Sequence, residues 1–234
     1  MSNDFVFHPI ATVRSCYKEK FGIPRQSGFS THAKSIIEFT NEYNNEEFVR
    51  QLDSFSHIWV VFVFHHHIGK EVKATVRPPR LGGNKKIGVF ASRSSFRPNP
   101  IGLSVVKLEK ITRDNNLLQL HVRSADFVDG TPVIDIKPYI AYADSIYGSI
   151  DGYASTKPQA SIDVVFSDRA SKQLSNYFAA SSDMQSLIIE TLSLDPRPAY
   201  IDDESREYGV KLDNYNIRWK VKNNIATVIE IVEL

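Results

Sequence analysis

A chain of 234 residues with 42% hydrophobic and 24% charged content has apolar material for one large domain or for a medium and a small one. A net charge of +1 excludes a uniformly basic nucleic-acid binder, so any basic surface has to be local. The single cysteine, Cys16, excludes a disulfide framework within the chain and a Cys-rich zinc site, and reads as a small inert side chain near a strand end.

The N-terminus, MSNDFVFHPI, has neither a basic start nor a long apolar segment. The longest apolar run, residues 58–64, is too short to span a bilayer, so a soluble cytoplasmic protein is expected. From residue 5 to about residue 140 the pattern reads as strands: FVFHPIATVRS, SIIEF, HIWVVFVFH, IGVFAS, GLSVVKLEKITRD, NLLQLHVRS and PVIDIKPYI. One short helix is predicted over residues 45–52, where an Asn cap precedes two glutamates and Phe48, Val49 and Leu52 fall at helical spacing. Asp114, Asn115 and Asn116 separate two strand-like runs and predict a hairpin. Many short strands with turn signals argue for an antiparallel barrel or sandwich.

Residues 144–160 are rich in Ser, Gly and Asp and suit a connection between domains. Beyond them the strand ASIDVVF leads into a helix that Ser167 caps, with Ala170, Leu174, Tyr177 and Phe178 on one face. A second helix is expected from Asp183 to about Leu194, then strands at residues 210–212, IRWKV and IATVIEIV, the last two joined by Asn223-Asn224. The expected organisation is mainly β: a domain over residues 1–145 and a smaller α+β domain over residues 146–234.

Neither G-x-G-x-x-G after a strand nor G-x-x-x-x-G-K-[ST] occurs, so a Rossmann dinucleotide site and a P-loop are both unsupported. Gly82-Gly83 reads as a tight turn or as backbone that lets a phosphate approach. In RSSFRPNPIG, Pro98 and Pro100 push Arg97 and Asn99 out of the helical region, which sets a stiff basic loop. Between Arg77 and Arg97 the chain carries Arg77, Arg80, Lys85, Lys86, Arg93 and Arg97 and no acid. Strand alternation would put His65 and His67 on one face, but a zinc site needs a third ligand that the sequence does not identify, so hydrogen-bonded or wet histidines are expected and no metal. Asp129-Gly130 is a turn pair, whereas Asp126 is free to accept from a ligand hydroxyl or balance a positive charge. Arg25, in PRQSG, reads as a bidentate anion clamp or a solvated loop arginine. DPRPAY, residues 195–200, is a helix stop or a second rigid basic loop whose Tyr200 stacks on a base.

Taken in order, YKEKFGIPRQ, FSHIWVVFVFH, VRPPRLGGN, GVFASRSSFRPNPIGLS, DFVDGTPVIDIKPY and DPRPAY closely resemble the YaeB-like family, the β-barrel tRNA methyltransferases called TrmO. The resemblance implies an N-terminal antiparallel barrel, a smaller C-terminal domain and a homodimer with the cofactor site near the subunit interface. It implies methyl transfer from S-adenosylmethionine (AdoMet) to N6 of threonylcarbamoyladenosine at position 37 of tRNA, next to the anticodon. Position by position it implies cofactor contacts at Pro24, Arg25, Gln26, His65, His66, Arg93, Leu103, Asp126, Phe127, Val128 and Asp129. Arg97 and Asn99 would face the tRNA or the modified base, and Arg77, Arg80, Lys85 and Lys86 would contact phosphates. Asp195, Arg197 and Tyr200 would close over the anticodon loop. An acylated N6 is a poor nucleophile, so a base must take its proton; Asp126, Asp129 and Asp195 are the candidates, unranked, beside the substrate's own carboxylate. The rival readings are a non-catalytic AdoMet-binding sensor and an RNA-binding dimer without cofactor.

Overall fold

The structure, a computed structural model, describes residues 5–178, 182–197 and 203–234. Strands β1 (Ala11–Ser15), β2 (Lys34–Phe39) and β3 (His57–Val63) are followed by the two-residue strands β4 (Thr75–Val76) and β5 (Ile87–Gly88). Three longer strands then follow: β6 (Ile101–Asp114), β7 (Leu117–Arg123) and β8 (Pro132–Pro138). All but β4 and β5 form a closed antiparallel barrel in the order β1-β2-β7-β6-β3-β8, closed by pairing of β1 with β8. Alternation sets its interior: Ala11 and Val13, Ile58, Val60 and Phe62, Val106 and Leu108, and Leu118, Leu120 and Val122 all turn inward and bury. The β6–β7 hairpin forms where expected, because Asn115 (φ 47°) and Asn116 (φ 62°) accept the left-handed backbone that a two-residue turn demands.

Four local expectations change. Phe5, Val6 and Phe7 precede β1 as exposed chain, since Pro9 supplies no donor to a ladder. Residues 45–52 form 3₁₀ turns, Glu46–Val49 and Leu52–Ser54, interrupted by Gln51 at φ 64°; Asn45 still caps, its side chain accepting from Glu47 N at 3.0 Å. IGVFAS yields only β5 and a 3₁₀ turn, Val89–Ala91, because its sole strand partner is the two-residue β4. The histidines lie past the end of β3 in a 3₁₀ turn, His65–His67, so they do not share a strand face.

A short helix α1 (Ala141–Asp144) and an exposed connection lead to β9 (Asp163–Phe166), α2 (Asp168–Tyr177) and α3 (Ser182–Ser193). The chain ends in β10 (Tyr208–Leu212), β11 (Tyr215–Lys222) and β12 (Ile225–Glu233). The sheet order is β10-β11-β12-β9, with β9 parallel to β12. Ser167 Oγ caps α2 by accepting from Ala170 N, and Ala170, Leu174 and Phe178 pack on the sheet while Tyr177 lies half exposed against Tyr215. Asn223 (φ 48°) and Asn224 (φ 62°) make the β11–β12 turn.

The core beneath this sheet, around Trp219, Ile188, Leu192 and Ile231, also takes in Cys16, Tyr17 and Ala33 from the N-terminal part. Tyr17 bridges to Leu212, and Asp213 N donates to the Cys16 carbonyl at 2.7 Å. Burial pushes the Cys16 thiol up to about 12, which makes it an inert packing group. The chain between β1 and β2 therefore leaves the barrel, is anchored in the second core and returns, carrying Lys20, Pro24, Arg25 and Gln26 on the way.

One glycine holds the barrel end open. Gly102 lies opposite Phe62, and a Cβ there would sit 2.2 Å from the Phe62 ring, which is itself held edge-to-face by Phe64 and Phe127. Gly102→Ala is expected to cost about 1–3 kcal/mol as overpacking, read as a lowered urea midpoint.

Candidate active site

At this end of the barrel lies a cavity of about 820 Å³. Phe62 and Gly102 contribute to its floor, with Ser104 from β6 and Asp126 from the chain after β7. Its walls are three loops: residues 23–26, the histidine turn, and residues 92–99. Ile101, Leu103 and Val63 line its rim.

The arginine loop is built from serine turns and prolines. Ser92 Oγ donates to Val89 O at 2.7 Å and accepts from Ser94 N at 3.2 Å, and Ser94 Oγ accepts from Phe96 N at 3.3 Å. Pro100 O accepts from Phe64 N at 2.7 Å and ties the loop to the end of β3. Arg93 Nη1 donates to Gln26 Oε1 at 2.5 Å, joining this loop to the one carrying Pro24 and Arg25. Arg97 Nη1 turns back to Ser92 O at 3.4 Å, and Arg97 and Asn99 both line the cavity.

Asp126 accepts from Ser104 Oγ at 2.7 Å. Burial raises its pKa above the ordinary carboxylate range, against the Ser104 hydrogen bond and the positive charge of Arg93, which pull it down. Partial desolvation lowers the pKa of Arg25, and Asp195 acts in the other direction. Asp195 takes a left-handed φ of 47° and holds Arg197 in a fork, Nε to Oδ1 at 2.7 Å and Nη2 to Oδ2 at 2.9 Å. The DPR segment of the second domain thus stands beside the first wall of the cavity.

Of the residues singled out in the sequence, Pro24, Arg25, Gln26, His65, His66, Arg93, Arg97, Asn99, Leu103, Asp126 and Val128 meet at this cavity. Phe127 does not line it: its side chain is buried in the barrel core and its carbonyl accepts from Ser15 Oγ at 2.8 Å. Asp129 also stands outside the lining, where it accepts from Ser15 N at 2.7 Å and pairs with Lys18 at 3.2 Å. Arg77, Arg80, Lys85 and Lys86 are exposed on the arm formed by β4, β5 and the turn between them, where Gly82 and Gly83 adopt left-handed φ of 70° and 72°. Arg80 Nη2 donates to Thr156 Oγ1 at 2.9 Å. Tyr200 lies outside the described residues. Lys20, Phe62, His67, Ser95 and Ser104 also line it, without having been singled out for it. Ser104 alone carried a readable signal, a polar residue at an inward position of an apolar strand. Among the described residues no three His, Cys, Asp or Glu side chains are grouped to hold a metal ion, and no helix is long and apolar enough to cross a membrane.

Family models match both parts of the chain: the tRNA-methyltransferase O N-terminal domain over residues 12–145 and the TrmO C-terminal domain over residues 159–234. The chain belongs to the TrmO family. It is 43% identical over 221 residues to the tRNA (adenine(37)-N6)-methyltransferase of Escherichia coli strain K12, covering 94% of each chain. It is 40% identical over 213 residues to a Pseudomonas aeruginosa protein named putative S-adenosylmethionine-dependent methyltransferase RcsF, covering 90% of each. The crystal structure of TrmO from P. aeruginosa superposes with a TM-score of 0.83 at 31% identity, over 100% of this chain and 99% of that one.

Proposed function

We propose that this protein methylates N6 of adenosine 37 in tRNA with AdoMet as donor, that its acceptor is N6-threonylcarbamoyladenosine, and that it works as a cytoplasmic homodimer. One observation carries the choice of acceptor: Lys20, Arg25, Arg93 and Arg97 line the cavity, with Asp126 the only carboxylate among its described lining residues. AdoMet carries a sulfonium, an ammonium and one carboxylate and is itself a net cation. Such an excess of positive charge therefore calls for a second, anionic ligand, and the threonyl carboxylate beside an RNA phosphate supplies that charge.

The donor set suits AdoMet. Arg25 and Arg93 match its carboxylate, Gln26 offers an amide to its hydroxyls, and Leu103 and Phe62 offer apolar surface to the adenine. When bound, the cofactor supplies an electrophilic methyl group. The chain's own work is to align and deprotonate the acceptor. Asp126 would accept the N6 proton: burial raises its pKa above the ordinary carboxylate range, which makes it a stronger base than a solvated carboxylate. Asp195 does not line the cavity, and both its oxygens are engaged by Arg197. Arg97 and Asn99, held by Pro98 and Pro100, would grip the carbamoyl-threonine, and the exposed arm would lie along the anticodon stem.

The dimer rests on a strip of outward-facing apolar side chains. Trp59, Val61 and Val63 of β3 lie opposite Val105, Leu103 and Ile101 of β6, and Leu103 is 51% exposed. An apolar strip that reaches the cavity rim suits burial by a second copy, which would also narrow the cavity.

The test is transfer of labelled methyl from AdoMet to normal tRNA and to tRNA from cells unable to make threonylcarbamoyladenosine, using protein whose sedimentation mass has been measured. Label in the normal pool alone, mapping to position 37, is expected from a dimer. Label in both pools would overturn the acceptor, and AdoMet binding without transfer would leave a sensor.

A further inference from the structure

The loop that carries Arg97 and Asn99 hangs on one histidine. His67 Nε2 lies 2.9 Å from Ser95 Oγ, and its ring meets Phe96 edge-to-face at 4.7 Å. On the other side of the ring Nδ1 faces Lys20 Nζ at 3.1 Å. An ammonium only donates, so Nδ1 is the acceptor; Nε2 then carries the hydrogen and gives it to Ser95. Lys73 completes the grip on Phe96, its N donating to Phe96 O at 3.1 Å and its Nζ lying 4.4 Å from the ring centroid. The stiffness that the prolines give the loop fixes its shape, while this chain of contacts from Lys20 through His67 to Ser95 and Phe96 fixes where that shape stands.

We propose that His67 is the positioning residue of the acceptor side: neutral and held by Lys20, it seats the arginine loop so that Arg97 and Asn99 meet the anionic acceptor. The inference rests on the acceptor reading above. The charged groups around His67 are Lys20 from the chain after β1, Lys70 and His66 from its own turn region, and Arg93 and Arg97 on the loop it holds. Burial disfavours its charged form, and Lys20, Lys70 and His66 add to that. A proton on Nδ1 would remove the acceptor for Lys20 and add a cation among cations, loosening the seat. A histidine that merely attracted phosphate would do the reverse and tighten tRNA binding in acid.

The test compares wild type, His67→Ala and His67→Gln as full-length proteins. Steady-state kinetics with modified tRNA, filter binding of the same tRNA and equilibrium dialysis of AdoMet are run from about pH 5 to 8. His67→Ala is expected to raise the KM and Kd for tRNA roughly tenfold, with kcat and AdoMet affinity within about twofold. His67→Gln, whose amide reaches Ser95 as Nε2 does, is expected to restore tRNA affinity and to lose the rise in KM that wild type shows as pH falls below the ordinary histidine range. Equal losses of AdoMet and tRNA affinity, failure of Gln to rescue, or tighter wild-type tRNA binding in acid would each overturn the role. Absence of methyl transfer by wild type would sink the acceptor reading instead, and the tRNA Kd values would still decide on His67.

Discussion

Asp126→Asn is expected to lower kcat by about 10²–10⁴-fold, the range of a lost general base, while AdoMet still binds in equilibrium dialysis. Asn keeps the size of the side chain and its bond to Ser104 Oγ, so the change removes basicity with little loss of packing. The three carboxylates that the sequence left unranked differ sharply in surroundings. Asp129 serves Ser15 N and Lys18 away from the cavity, so Asp129→Asn should cost stability and little rate. Asp195 is neutralised by the Arg197 fork. Asp126 alone faces the cavity with burial raising its pKa, and protonation in acid then removes the base. The acid limb of kcat/KM should accordingly sit above the ordinary carboxylate range and vanish in Asp126→Asn. A variant that keeps wild-type kcat would move the base elsewhere, to the substrate's own carboxylate first; a variant that loses AdoMet would make Asp126 a cofactor ligand.

The sequence made the local parts of this arrangement readable and left the long-range parts hidden. Asn115-Asn116 and Asn223-Asn224 declared their turns because a left-handed backbone has few tenants, and Ser167 declared the start of α2 because its oxygen answers an orphan amide. The prolines around Arg97 and Asn99 declared a stiff loop, and that loop forms a cavity wall. IGVFAS misled because an apolar run becomes a strand only where a partner exists, and β4 offers two residues. The histidines misled for a related reason: the ladder of β3 ends at Val63, so alternation has no meaning beyond it. Lys20, His67 and Ser95 come from three distant stretches, and nothing in any one of them announces the other two. The anchoring of Cys16, Tyr17 and Ala33 in the second core was likewise invisible, since period-2 patterning states that a side chain is buried without stating against what.

Glu190→Gln is expected to cost about 3 kcal/mol of stability at neutral pH, read as a lower urea midpoint with an unchanged slope. Glu190, on α3, accepts from Ser30 Oγ and Thr31 Oγ1, each at 2.7 Å, from His32 N at 3.0 Å and from His32 Nδ1 at 2.8 Å. Burial alone would push its pKa up; the donors outweigh burial and hold it down to about 2, against an ordinary value of 4.5. A depressed carboxylate stabilises the fold in full above its unfolded pKa, so the contribution should be complete above about pH 4.5 and fade as pH falls toward 2. The gap between wild type and Glu190→Gln should close over that window. The exposed pair Lys34–Asp183, at the other end of α3, should matter far less. The same helix leads directly to Asp195, and residues 30–32 lie just beyond Arg25 and Gln26, so Glu190 clamps both sides of one cavity wall. A matched urea midpoint at neutral pH would mean that the Glu190 hydrogen bonds add little to the packing around Tyr17, Ile188 and Leu192 and the backbone links between Cys16, Tyr17 and residues 212–213.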